Sequence, residues 1–178
     1  HLSCMARQNL LDSLNPDQAA SVLMRLARAD PAIAARADAI ARDLLGSIDS
    51  ADIADTLCRD LSALRIEDVW DTSGRTRYGY IHPSERADEM LDEVIDSYKE
   101  EMLAYLRRGM PEESRAYCAG ILRGIREFQR RSASALKDET PDYCDSAFAS
   151  VQEGWEEAVD DPGQVRLLAA YLEEEDLL

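Results

Sequence analysis

Six prolines set the main constraint on how this 178-residue chain can fold. Each stands just before a stretch in which apolar residues recur with a period near 3.6, which is the period of an α-helix. Proline suits the first helical position, because its ring holds φ near the helical value and the N–H that it lacks would be unpaired there. We therefore predict a helix start at each proline, namely Pro16, Pro31, Pro83, Pro111, Pro141 and Pro162.

Capping residues precede several of these prolines. Asn15, followed by Gln18 at the third helical position, has the pattern of a capping box, in which each residue bonds the other's backbone N–H. Asp30, Thr140 and Asp161 precede prolines in the same way and have side chains that cap helices. These signals place helix starts independently of the apolar periodicity.

The pattern predicts an all-α fold, in which antiparallel helical hairpins form an irregular bundle or a short HEAT/TPR-like helical stack. No β pattern of comparable strength is present. The chain is near the usual size of one domain, so we expect a single helical domain over 1–178. Its sub-halves would be 1–66 and 84–178, joined by a loop at 67–83. Gly120 and Gly124, four apart on one helix, would let another backbone approach closely.

Charge is the strongest global signal. The chain has 36 acidic and 20 basic residues, which give a formal charge of −16. Such a field repels phosphate backbones and anionic membrane surfaces, so direct binding of nucleic acid or membrane is disfavoured. A solvated acidic surface that maintains solubility is the simplest explanation. The alternatives are a basic partner and mimicry of nucleic-acid charge.

The cysteines and carboxylates do not form a recognisable metal site. Cys4, Cys58, Cys118 and Cys144 are far apart and form no CxxC pair, so we expect inert thiols and a reducing cytoplasm rather than zinc. Asp88, Asp92 and Asp96 recur every four residues, but the helical register places them on a solvated face. The matching basic cluster should pair with these acids across neighbouring helices; its members are Arg123, Arg126, Arg130 and Arg131.

The segment WDTSGRTRYGYIHP, residues 70–83, is the most distinctive in the chain. We identify four candidate ligand or partner contacts in it: Arg75, Arg77, Tyr78 and His82. The arginines precede a helix N-terminus, where an anion is favoured. Against a site, Trp70 and Tyr80 are expected to be buried between the two sub-halves as a structural strut. His82 is more simply a helix cap than a catalytic base.

The sequences LLDSLNPDQAASVL, GYIHPSERADEMLDEVI and YCAGILRGIREF carry a family resemblance. They are similar to a set of small uncharacterised prokaryotic all-helical proteins in which a Gly-Tyr-x-x-Pro loop leads into a long helix. The resemblance extends over most of the chain. It implies the helical fold and brings no activity or catalytic residue with it.

These observations favour a non-enzymatic interaction or scaffold protein that binds another protein, which the acidic charge suggests is basic. No cofactor and no metal are expected, because the motifs of serine hydrolases, zinc proteases and P-loop nucleotide-binding proteins are absent. A homo-oligomer is compatible with the sequence. Two alternatives stay open, an anionic-ligand or enzymatic site at the 70–83 loop and an acidic nucleic-acid mimic that binds a basic protein.

Overall fold

The computed structural model of the chain describes residues 10–76 and 79–178 and shows an all-α protein. Within these ranges nine α-helices are accompanied by one 3-10 helix and one two-stranded sheet, which confirms the predicted fold class. Contacts divide the chain into two compact units, one ending at Ser47 and the other beginning at Ile48. The 67–83 segment, which we expected to join two sub-halves, lies inside the second unit.

The first unit is a helical hairpin preceded by the 3-10 helix, and its elements are Leu10–Ser13, α1 (Pro16–Ala29) and α2 (Pro31–Leu45). The predicted capping box is present at α1. The Asn15 side chain accepts from the Gln18 N–H at 2.8 Å, and the Gln18 side chain accepts from the Asn15 N–H at 3.1 Å. Asp30 alone separates the helices and caps the second one. No residue of α1 or α2 is buried, so the described part of this unit, residues 10–47, has no core of its own.

The second unit surrounds one hydrophobic core. Its elements are α3 (Ser50–Ala63), α4 (Ile66–Thr72), β1 (Gly74–Thr76), β2 (Gly79–Ile81), α5 (Pro83–Arg107), α6 (Pro111–Arg131), α7 (Leu136–Glu139), α8 (Tyr143–Ala158) and α9 (Pro162–Glu174). Helix α6 lies at its centre and packs on α3, α5, α8 and α9. Buried Ser114 ties three helices together, because it donates to the Met102 carbonyl at 2.7 Å and accepts from the Trp155 indole N–H at 3.0 Å.

Two glycines of α6 allow α3 to cross it at very short range, as their spacing predicted. A Cβ atom added at Gly120 would lie 2.6 Å from the Ile53 Cβ and 2.9 Å from the Ser50 carbonyl oxygen. At Gly124 it would lie 3.0 Å from the Ala54 carbonyl oxygen. The close approach buries α3 residues against the middle of the central helix.

One of the six predicted helix starts is wrong. Five prolines occupy the first turn of a helix, but α8 begins at Tyr143 rather than at Pro141. The reason is the preceding short helix α7. Thr140 ends that helix instead of starting the next, and its hydroxyl donates to the Leu136 carbonyl at 3.0 Å. Pro141 therefore lies in the turn between two helices.

Candidate functional site

The segment that we expected to be a loop forms a short helix and a β-hairpin. Helix α4 ends at Thr72, and strands β1 and β2 pair antiparallel with Arg75 opposite Tyr80. Gly74 and Gly79 have φ values of +93° and +142°, in a region where residues with a side chain are strained. The register places the Arg75 and Tyr80 side chains on one face of the ribbon. Both are exposed.

The structure describes two of the four predicted contact residues. Arg75 forms no ion pair within residues 10–76 and 79–178. His82 lies at the end of the hairpin, seven residues further along the chain. Arg77 and Tyr78 lie outside the described residues, so the role proposed for them stays a prediction.

His82 is a helix cap, as its position before Pro83 suggested. Its Nδ1 lies 3.3 Å from the Ser84 N–H, from which it accepts, and 2.7 Å from the Ser84 hydroxyl. The cap pairs one of the backbone N–H groups that a helix N-terminus otherwise leaves free. One ring nitrogen of His82 is therefore used in holding the start of α5.

The expectation that Trp70 and Tyr80 form a buried strut is wrong. Their exposed fractions are 58% and 68%, whereas the neighbouring Val69 is fully buried. The reason is helix α4. Successive residues on a helix are rotated by about 100°, so a chain that buries Val69 turns Trp70 toward solvent. The spacing of Ile66 and Val69, three residues apart, was the available signal for this helix.

A polar contact fastens the end of α4 to α5. The Arg86 Nε donates to the Thr72 hydroxyl at 3.1 Å, and its Nη1 lies 2.9 Å from a Glu89 carboxylate oxygen. Sequence reasoning did not single out Arg86, because a lone arginine on a long acidic helix has no local signature. Arg86, near the start of α5, therefore holds the C-terminal end of α4, the helix that precedes the β-hairpin.

The predicted pairing of Asp88, Asp92 and Asp96 with the arginines of α6 is also wrong. Asp92 accepts from the Tyr143 hydroxyl at 2.6 Å, and burial together with Asp92 raises the pKa of Asp88. Asp96 pairs with Lys99. The basic cluster on α6 instead contacts α6 itself, α8 and the C-terminal segment; its contacts are Arg123 with Glu127 and Glu175, Arg126 with Asp145, Arg130 with the Asp176 carbonyl, and Arg131 with Glu127. Apolar periodicity predicts which face of a helix is buried. It does not predict which neighbouring helix its polar face contacts.

The described thiols fit the inert interpretation. Cys118 and Cys144 are buried, Cys58 is partly buried, and burial raises the pKa of all three. A raised thiol pKa lowers the reactive thiolate fraction at neutral pH. Cys4 lies outside the described residues. Among residues 10–76 and 79–178 no group of three or more His, Cys, Asp or Glu side chains is placed to hold a metal ion.

The apolar faces of α1 and α2 line one exposed groove, here called the apolar groove. Its apolar residues are Leu23 of α1 and Ile33, Ala37, Ile40, Ala41 and Leu44 of α2, and Arg36 also lines it. The exposed fractions of Leu23, Ile40 and Leu44 are 48%, 53% and 76%. Single exposed apolar residues are ordinary, but a contiguous set on a hairpin without a core is not.

Charge is divided sharply between the two units. Residues 1–47 hold five of the 20 basic and five of the 36 acidic residues, so their formal charge is zero. The whole charge of −16 therefore lies on residues 48–178. The apolar groove belongs to a neutral hairpin, and the acidic surface belongs to the other unit.

Comparison of the chain with protein-family models, curated proteins and solved structures finds no match. Among the described helices, none is both long and apolar enough to cross a membrane. The function is therefore inferred from the geometry of the chain itself.

Proposed function

We propose that the protein is a non-enzymatic interaction protein whose apolar groove binds an apolar surface of another polypeptide. The exposure of the apolar groove carries this proposal. Leu23, Ile40 and Leu44 keep about half or more of their surface in water. Covering such side chains releases about 25 cal/mol per Å² of apolar surface, which favours any partner that fits.

The hairpin's lack of a core also supports a partner. A folded segment of fewer than about 40 residues rarely buries enough apolar surface to be stable alone. In α1 and α2 no residue is buried, although apolar side chains recur at helical spacing on both. A complementary helix or helix pair laid in the groove would bury Leu23 and Ile40 together and stabilise the hairpin.

The partner's chemistry follows from the rim of the groove. Arg36 contributes to the lining, and Arg42 pairs with Asp38 along α2. A neutral hairpin neither attracts nor repels a charged surface over a long distance, so apolar shape decides the binding. An amphipathic helix with an aliphatic face is the surface that fits best.

Site-specific photo-crosslinking tests the proposal. A photoreactive side chain is placed at Ile40, in the groove, or at the matched control position Ala35, which is exposed on the opposite side of α2. We expect irradiation in the organism that makes the protein to join the Ile40 variant, but not the Ala35 variant, to a second polypeptide. Crosslinks confined to the protein's own chain, or equal adducts from both positions, would contradict it.

A further inference from the structure

A second groove lies in residues 48–178, and it is lined mainly by tyrosines, carboxylates and hydroxyl side chains, with Ile53 as its one aliphatic residue. Asp52, Thr56 and Asp60 of α3 form one wall, Ser97 and Tyr98 of α5 another, and Tyr117 of α6 the third. We call it the tyrosine groove. It is independent of the apolar groove, because the two share no residue.

The tyrosine groove is held rigidly. The Tyr98 hydroxyl donates to Asp60 Oδ2 at 2.6 Å, which fixes both a ring and a carboxylate. Burial and the neighbouring Asp60 raise the pKa of Tyr98, so the hydroxyl stays protonated and keeps donating at neutral pH. The Tyr98 and Tyr117 rings have centroids 6.4 Å apart and planes 48° apart. Tyr98 itself is buried, so the groove presents the partly exposed Tyr117 ring beside a fixed carboxylate.

The charge around this groove is negative. Burial raises the pKa of Tyr117, and the nearby Glu101 raises it further. Asp52 is exposed at the groove's edge. One positive charge lies beside the groove, because the Arg59 Nη2 is 3.4 Å from the Thr56 hydroxyl oxygen. The faces of aromatic rings and the carboxylates both have a negative electrostatic potential, so both attract cations.

The same row of tyrosines already holds one guanidinium of the chain itself. Arg108 lies over the Tyr105 ring, with its Cζ 5.2 Å from the ring centroid, and its Nη1 is 2.8 Å from a Glu101 oxygen. The centroids of the Tyr105 and Tyr117 rings are 5.9 Å apart. One ring face and one carboxylate thus bind an arginine at one end of the row, and the tyrosine groove repeats that pair of groups at the other end.

We propose that the tyrosine groove binds an arginine side chain of a basic protein partner. Its guanidinium lies against the partly exposed Tyr117 ring and donates to the Asp60 carboxylate, while Asp52, two turns away on α3, adds negative charge at the groove's edge. Arginine fits better than lysine, because its planar group stacks on a ring while its N–H fork reaches carboxylates. The inference rests on the proposed function only in that the arginine belongs to a protein.

Titration with argininamide, followed by NMR of the tyrosine ring signals, tests this assignment. Citrullinamide is the matched probe, because it has nearly the same shape without the charge. We expect saturable shifts centred on the Tyr98 and Tyr117 rings, with binding about tenfold weaker for citrullinamide. Equal binding of the two probes, or no shift at either ring, would overturn the proposal.

Variants separate the groove from the general acidity of the surface. Asp52→Asn and Tyr117→Leu should each weaken argininamide binding about threefold to tenfold, whereas Glu153→Gln, which removes an exposed charge on α8, should leave it unchanged. Arg59→Gln should strengthen binding. An equal loss from Glu153→Gln and Asp52→Asn would show nonspecific attraction and refute the site. The crosslinking result at Ile40 is unaffected either way, so the two proposals fail separately.

Discussion

Replacing Gly120 by alanine tests the packing on which the second unit is built. The added Cβ would lie 2.6 Å from the Ile53 Cβ, 2.8 Å from its Cγ2 and 2.9 Å from the Ser50 carbonyl oxygen. None of these atoms is the free end of a flexible side chain. Helix α3 must therefore move away from α6 to admit one methyl group.

The magnitude follows from two opposing effects. Overpacking a close contact costs about 1–3 kcal/mol, and the short distances to Cβ and backbone atoms place Gly120→Ala at the upper end. Alanine gains about 1 kcal/mol over glycine in helix propensity. The expected net loss of unfolding free energy is about 1–2 kcal/mol. Gly154 in α8 is the matched control, because its added Cβ meets nothing within 4 Å, so Gly154→Ala should gain about 1 kcal/mol.

Denaturant unfolding followed by circular dichroism at the helix band measures both changes. Both variants add one methyl group, Gly120→Ala on a buried helix face and Gly154→Ala on an open one. We therefore expect changes of opposite sign in the free energy of unfolding. A Gly120→Ala protein as stable as Gly154→Ala would refute the close crossing of α3 and α6.

Two further predictions use the same assay. Trp70→Ala should change the unfolding free energy by less than about 1 kcal/mol, because Trp70 is exposed, while Val69→Ala should cost about 2 kcal/mol through lost burial and a cavity. The reverse order would restore the buried-strut interpretation. Ser114→Ala should cost about 1–3 kcal/mol, because it leaves the buried Trp155 N–H without an acceptor. An unchanged stability would mean that this N–H finds another partner.

Much of the fold could be predicted because its signals are local. Proline at the first turn, a capping side chain before it and a 3.6-residue period are all set by neighbouring residues, and they located α1, α2, α5, α6 and α9. Helices α4 and α7 were missed because each has seven residues or fewer, too few to establish a period. Pro141 was misplaced because α7 uses Thr140 as its own end.

The sites were harder to predict because they depend on which helices become neighbours. The tyrosine groove joins Asp60 to Tyr98, which are 38 positions apart, and no spacing rule relates them. The apolar faces of α1 and α2 could be predicted from their period, but the same pattern describes a buried face and an exposed one. Trp70 shows the converse error, since a large aromatic residue was assumed to be buried when the helical register turns it outward.

Hydrogen exchange of the purified protein tests the central claim, that the apolar groove is uncovered until a partner binds it. We expect amides of α1 and α2 to open at about 0–2 kcal/mol, while those of α6 report the global stability of about 5–15 kcal/mol. Adding the partner that crosslinking at Ile40 identifies should slow amide exchange in α1 and α2 alone. Amides of α1 and α2 protected as strongly as those of α6 in the protein without a partner would contradict the claim, because the groove would then already be covered.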